Sequence, residues 1–587
     1  MRVLFVLNYP GYLRYFDSVI AELADRGHAL HIVFDAVDKQ SEGLKGIPDR
    51  VAVTYGATYP KAPRMWAQVT RDLRQLTDYV HYLHPRYADS DYLRDRVAKR
   101  LPGPFSALRH VRTLPAPPVD AAGRLLRWLE AALPVEQPLV EFLRESRADV
   151  VVASPVLTVG SRQPDVVVAA KALGVPAILG VASWDHLTTK GMLRSPVDRI
   201  LVWNPTQRDE AVHVHGVPET LVTVTGAQPF DKWFGREPTP HQEFAQRVGL
   251  PADRPMILFA GSTRSISSPE AEVKFVRSWI AALRASSDER VRDAGVLVRP
   301  HPYGGDALRD ADFGDLGPAK VWPRGDVNPV DVDDRRDYHD SLSHAAAVVG
   351  INTSAMIEAA IVGRPVFSIE TEDFAATQSG TLHYRYLLPE NGGFVQVAGS
   401  LTEHVLQLAA LLRAGNRPDP RIQAFVERFI RPHGLDRAAT PLVADAIEEV
   451  GADGAAREVR VPPTGARRGL LAAVAGATIL RRRAGRARLL RVGVDWTAGQ
   501  ARGEIARGRQ PQRIAARLGQ LAEDLEAAGA AFAATEQAAL KGRKPGRPKA
   551  PPEKPSETPP PARAGVGAAP PGSAPSDERR AATLKAQ

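Results

Sequence analysis

The chain has 587 residues, 44% of them hydrophobic and none of them cysteine. It is long enough for more than one core, and it excludes disulfide frameworks, thiolate catalysis and cysteine-ligated metal centres. The net charge of +9 is uneven: residues 451–587 carry 25 Lys or Arg against 12 Asp or Glu, so residues 1–450 are mildly acidic and the basicity lies in a tail.

Residues 1–8 form too short an apolar run for a signal peptide. No stretch reaches the roughly 18 apolar residues of a membrane span. A soluble, cytoplasmic or at most peripheral protein is expected. Residues 3–7 are continuously apolar, as in a buried parallel strand. Asn8-Tyr-Pro-Gly11 breaks that run, Phe16, Val19, Ile20 and Leu23 recur at helical spacing, and Gly27 stops the helix before a strand at 29–34. This βαβ opening predicts a parallel sheet.

Residues 36–145 are less regular and read as helices packed on the sheet or lining a cleft. The rhythm then resumes, with strands at 150–154, 175–181, 199–203 and 221–225 and a helix at 165–173. Residues 229–254, rich in proline and charge, read as a linker. A second α/β set follows, with strands at 255–260, 295–299, 346–350 and 366–369 and helices at 270–285, 354–362 and 401–414. One or two closing helices fill 421–450. The expected fold is α/β with two Rossmann-like domains, 1–228 and 255–450. Beyond them come a basic helical extension over 451–540 and a tail from 541 whose proline, alanine and charge predict disorder.

The strongest chemical signal is in 348–366. A buried strand ends at Gly350, Asn352, Thr353 and Ser354 supply cap-type residues, and a short helix follows. Hydroxyls beside free amides at the positive end of a helix suit a phosphate. Glu358, one turn further along the face of Ser354, can accept hydrogen bonds from two ribose hydroxyls. In Leu297-Val-Arg-Pro-His-Pro302, Arg299 and His301 end a buried strand, where Arg299 could neutralise phosphate charge. The turn Gly261-Ser262-Thr263-Arg264 could cradle phosphate with its amides. In the first half, Gly180–Gly191 is a polar loop after a strand. Asp185 is the candidate general base there, with His186 its rival and Trp184 a surface for a sugar ring.

Glu358-Ala-x-x-x-Gly-x-Pro-Val366 resembles the donor-binding helix of GT-B fold glycosyltransferases. The segments 23–28 and 222–228 resemble the end of their first helix and the strand leaving their N-terminal domain. The resemblance covers roughly residues 1–450. It implies that Glu358 holds the nucleotide ribose and that the helix start holds the diphosphate. The His-Pro pair at 301–302 looks like one in CDP-glycerol glycerophosphotransferases, bacterial sialyltransferases and capsule-sugar transferases, which implies that His301 contacts the donor phosphates. A leaving phosphate gains negative charge, so a protonated His301 would help most.

The expected activity is transfer of a sugar or glycerophosphate from a nucleotide-activated donor to a hydroxyl of a glycan or lipid-linked acceptor, in cell-surface glycan synthesis. No cofactor is expected, and no metal, because Arg299, His301 and the helix terminus serve the leaving phosphate. Asp331-Val-Asp-Asp334 reads as a solvated loop, and His213 and His215 lack a third ligand. The apolar stretch within 467–491, flanked by arginines, is a candidate contact with anionic membrane. Lys541–Lys549 only faintly resembles an AT-hook, so nucleic acid is not an expected partner. Two alternatives remain open: a nucleotide-sugar 2-epimerase of the same fold, which needs several acid/base carboxylates beside the sugar, and a non-catalytic scaffold recruiting partners through its tail.

Overall fold

The computed structural model describes residues 1–453 apart from 57–58, 61–63, 159, 196, 303, 325–331 and 416. Among these residues the chain builds two wholly parallel sheets. The first comprises β1 (Arg2–Leu7), β2 (Ala29–Phe34), β3 (Val53–Tyr55), β4 (Val150–Ser154), β5 (Ala177–Gly180), β6 (Arg199–Val202) and β7 (Val222–Val224), in the order β3-β2-β1-β4-β5-β6-β7. The second comprises β8 (Met256–Ala260), β9 (Gly295–Arg299), β10 (Ala319–Val321), β11 (Ala347–Gly350), β12 (Val366–Ile369) and β13 (Gln396–Ala398), in the order β10-β9-β8-β11-β12-β13. The strand order reverses between β1 and β4 and again between β8 and β11. Such switch points open crevices at the C-terminal ends of strands.

The central strands form because their side chains are apolar on both faces and helices cover both faces. In β4, β5, β8, β9, β11 and β12 every residue is buried. Register is set through the middle of each sheet, Val3 pairing with Val150 and Ile257 with Ala347. Three edge strands that the apolar pattern does not announce, β3, β10 and β13, have three residues each and are partly exposed.

The stretch between the sheets is folded, not loose. It carries the helix His241–Val248, whose Phe244 and Val248 are buried, and Thr239 bonds Asp340 through its amide (3.1 Å) and its hydroxyl (2.6 Å). The chain then returns to its start. The helix Ala439–Ala452 packs Val443, Ala444, Ile447 and Val450 into the core of the first sheet, beside Val3, Phe5 and Val19. Asp231 accepts from the first amides of that helix, Ala439 (3.0 Å) and Thr440 (2.6 Å). Arg26 pairs with Asp445 and Glu448, both at 2.7 Å. The last helix of the 255–450 stretch therefore packs with the first half.

Among the described residues no helix is long and apolar enough to cross a membrane, and no group of three or more His, Asp or Glu could hold a metal ion. Asp331, the apolar stretch within 467–491, the rest of the expected helical extension from 454 to 540 and the tail from 541 lie outside the described residues.

Candidate functional site

The C-terminal ends of β1, β5, β8, β9 and β11 converge on a cleft of about 730 Å³. In the first sheet the crevice between β1 and β4 is bridged by a side chain. Gln163, fully buried, donates to the carbonyls of Val6 (2.9 Å) and Ser154 (2.6 Å) and accepts from the Val156 amide. In the second sheet Gly261 follows β8, and its amide donates to the Arg299 carbonyl at 2.9 Å. A Cβ there would sit 3.0 Å from the His301 nitrogen and 3.1 Å from the Arg299 oxygen, so glycine is what lets the 261–266 turn lie against the end of β9.

Arg299 dominates the electrostatics of this wall. It is 7% exposed, its guanidinium lies 4.8 Å over the Tyr338 ring, and it donates to the Ser341 hydroxyl at 2.9 Å. Among the described residues it forms no ion pair. Burial pushes its pKa below the ordinary value, against the pull of Tyr338, Asp337, Asp334 and Glu358, yet a guanidinium stays charged. A buried cation without a carboxylate costs free energy until an anion arrives. Beside it, Glu358 accepts a hydrogen bond from the Tyr338 hydroxyl. Burial pushes its carboxyl up, opposed by Tyr338, Arg14, Lys232 and Arg299.

The other expected donor-wall residues divide. Asn352, Thr353, Ser354, Thr263, Arg264, Arg299, His301 and Glu358 all line the cleft. The Asn352 amide group is already spent on the Thr377 carbonyl at 2.5 Å, and Arg264 is paired with Asp306. Ser354 does not cap the helix, because its backbone is helical (φ −61°, ψ −22°) and capping needs an extended residue, so its hydroxyl is not engaged by the first turn. The helix Ala355–Ile361 has only seven residues, so the charge that would meet a phosphate is chiefly that of Arg299, not of a dipole. Ser262 is also corrected. It does not line the cleft; it is 1% exposed, and its amide donates to buried Glu272 at 2.8 Å.

In the first half, His186 is a structural residue. Its Nδ1 accepts from the Ala182 amide (2.9 Å) and its Nε2 donates to the Pro155 carbonyl (2.8 Å). Burial pushes its pKa down to about 4, and it does not reach the cleft. Asp185 does line the cleft, but it is no ordinary base. Burial alone would raise its carboxyl. Lys190 (3.1 Å), His383, the Ser183 hydroxyl (2.5 Å) and the Thr189 hydroxyl (2.8 Å) outweigh that and hold it well below the usual carboxylate range. Asp185→Asn is therefore expected to destabilise the protein by about 1–3 kcal/mol at pH 7. Because the carboxyl is depressed on folding, the gap between variant and wild type should persist down to about pH 4 and close below it. Thermal melts of both proteins from pH 3 to 8 check this. Trp184 is buried edge-on against His383, ring centroids 4.7 Å apart, so its ring already has a partner.

Several cleft residues carry no signal in the linear sequence. Tyr338, on the polar helix Val332–Ser343, holds Glu358. His383 lines the cleft beside Trp184; its segment is tied to the first half by Arg385–Asp89 (2.9 Å) and by the Tyr386 hydroxyl donating to Glu210 (2.5 Å). Lys232 and Arg335 both reach Asp17, at 3.3 and 3.1 Å.

Two parallel doubly wound sheets, their strand ends meeting at one cleft and the last helix returning to the first sheet, make this a GT-B-type α/β fold. No protein-family model matches the sequence, and no curated protein sequence matches it. Solved structures similar in backbone include a putative UDP-N-acetylglucosamine 2-epimerase from Listeria monocytogenes, at 13% identity and TM-score 0.45 over 77% of this chain and 97% of that one. A UDP-GlcNAc 2-epimerase from Neisseria meningitidis, bound to UDP-GlcNAc, gives 11% and 0.44 over 76% and 100%. A glycosyltransferase from Rickettsia africae ESF-5 gives 11% and 0.42 over 76% and 98%.

Proposed function

We propose that the protein is a glycosyltransferase that moves a sugar, or a glycerophosphate as in the CDP-glycerol transferases it resembles, from a nucleotide-activated donor to a hydroxyl acceptor. The observation that carries this is Arg299, a buried guanidinium without an ion-pair partner among the described residues, facing the cleft beside Glu358. A diphosphate supplies the missing charge, and the carboxylate suits the two hydroxyls of the adjoining ribose. The acceptor oxygen attacks the transferred carbon (or phosphorus), and the bond from that atom to the nucleotide phosphate breaks. The electron pair then passes to a phosphate oxygen held by Arg299 and His301. Asp185 orients the acceptor hydroxyl; a carboxylate held so low is a weak base and takes the proton late in the step.

The cleft supports transfer over epimerisation. Among the described residues it is lined by eight Lys or Arg and two carboxylates, Asp185 and Glu358. Epimerisation at the 2-position needs acid and base groups beside the sugar; here one carboxylate is pinned and the other is assigned to ribose. Incubation with UDP-N-acetylglucosamine and no acceptor separates the two, because only an epimerase changes the stereochemistry of the sugar.

The test of the reading is a thermal-shift screen with UDP, CDP, CMP, GDP and dTDP donors. At least one diphosphate should stabilise the protein, and Glu358→Ala should remove most of that shift. A shift surviving Glu358→Ala would contradict the ribose assignment, and no shift from any nucleotide would overturn the function.

A further inference from the structure

Beside Arg299 and Tyr338 the cleft holds a second cluster of cations and aromatic rings, in which Trp233 packs on Tyr338 with ring centroids 5.5 Å apart. The 3-10 turn Pro10–Tyr15, straight after β1, sets Tyr9, Tyr12 and Tyr15 edge-to-face, with ring centroids 4.9 and 5.4 Å apart. Gln228 donates to the Tyr15 carbonyl at 3.0 Å, fixing this turn to the segment Gln228–Trp233. That segment brings Lys232 and Trp233 to the same corner, Arg236 follows, and Arg335 arrives from the second half; all line the cleft.

The Lys232 ammonium reaches one oxygen of Asp17, the same oxygen that Arg335 reaches. Burial lowers the pKa of Lys232, and the positive charges of Arg335 and Arg14 lower it further against the pull of Asp17. Cations crowded this closely repel one another, and a bound anion relieves the repulsion. Residues 1–450 as a whole are mildly acidic, so the concentration of positive charge belongs to the cleft and not to the surface at large. Tyr12 and Trp233 line the cleft among these cations, aromatic surface of the kind that meets the C–H faces of a sugar.

We propose that the corner formed by Tyr12, Arg14, Lys232, Trp233 and Arg335 binds the acceptor, and that the acceptor is a saccharide bearing a negatively charged group, phosphate or carboxylate. This rests on the transferase reading and adds the chemical class of its second substrate. The aromatic rings select a sugar, the cations select its charge, and Asp185 meets the hydroxyl that reacts. Lys232 and Arg335 come from different halves of the chain and already meet at one oxygen of Asp17, so the anion of the acceptor sits where the two halves join.

The experiment uses the full chain saturated with the nucleotide diphosphate that gives the largest thermal shift, then titrated with glucose 6-phosphate, glucuronate, glucose or inorganic phosphate. At least one charged sugar should add a further shift at millimolar concentration, with glucose and inorganic phosphate adding none; which sugar responds separates phosphate from carboxylate. Lys232→Gln and, independently, Arg236→Gln should weaken that second binding about tenfold while leaving the nucleotide shift in place. The proposal is overturned if no charged sugar adds a shift to the nucleotide-bound protein, or if inorganic phosphate matches the charged sugars. It is equally overturned if Lys232→Gln removes the nucleotide shift itself, which would assign the corner to the donor. Absence of any nucleotide shift is a separate result: it overturns the transferase reading, and this proposal with it.

Discussion

Arg299→Met is expected to have two opposite effects: a higher melting temperature for the ligand-free protein and about a hundredfold weaker binding of a nucleotide diphosphate. The guanidinium is buried at the end of β9 with a hydroxyl and an aromatic face for company and, among the described residues, no carboxylate within ion-pair distance. Its desolvation is incompletely compensated in the free protein, so an apolar side chain of similar length should stabilise the fold by on the order of 1–3 kcal/mol. With ligand present the balance inverts, because the variant leaves phosphate oxygens facing an apolar wall. A purely structural arginine would show the reverse pattern, with lower stability and unchanged binding. Melting curves with and without nucleotide, together with calorimetric titration, distinguish the two.

Glu210→Gln should abolish a pH dependence of stability that the wild type carries between about pH 4.5 and pH 8. Glu210 is 4% exposed on the helix Pro205–His213 and accepts from the Tyr386 hydroxyl of the second half at 2.5 Å. Burial pushes its carboxyl up to about 8. The folded protein keeps this proton over a range in which the unfolded chain has lost it. Stability therefore falls as pH rises through that window and levels off above it, with on the order of 5 kcal/mol at stake. The neutral amide has no proton to lose, so the variant should match the wild type near pH 5 and exceed it at pH 8. Glu272, which burial pushes up to about 7, contributes a slope of the same sign to both proteins, so the difference between them isolates Glu210. Equal pH dependence in the two would show that Glu210 titrates normally.

How much of this can be read from the linear chain depends on where each residue stands in the sheets. The strands at 29–34, 150–154, 295–299 and 366–369 coincide with their expected bounds because central parallel strands, covered on both faces, are continuous apolar runs. The edge strands β3, β10 and β13 escape because each is three residues with one side partly open to solvent, where Thr54, Lys320 and Gln396 are as acceptable as valine. The cleft wall around Arg299 is readable for a related reason: a charged residue that ends a buried run, as Arg299 does, stands at the strand end where α/β sheets meet ligands. Side-chain direction is what the sequence hides. His186 and Asp185 are adjacent in one polar loop, yet the first turns into the core between Ala182 and Pro155 and the second faces the cleft. Ser262 likewise turns inward while Thr263 turns out. Tyr338, His383 and Lys232 come from segments whose local patterns say only helix or turn, and tertiary packing alone brings them to the site.

The most direct measurement is a structure of the protein with the nucleotide diphosphate that stabilises it most. The diphosphate should lie against Arg299 and His301, with the ribose hydroxyls on Glu358. A nucleotide bound elsewhere, or bound in the cleft with Arg299 still lacking an anion, would contradict the account.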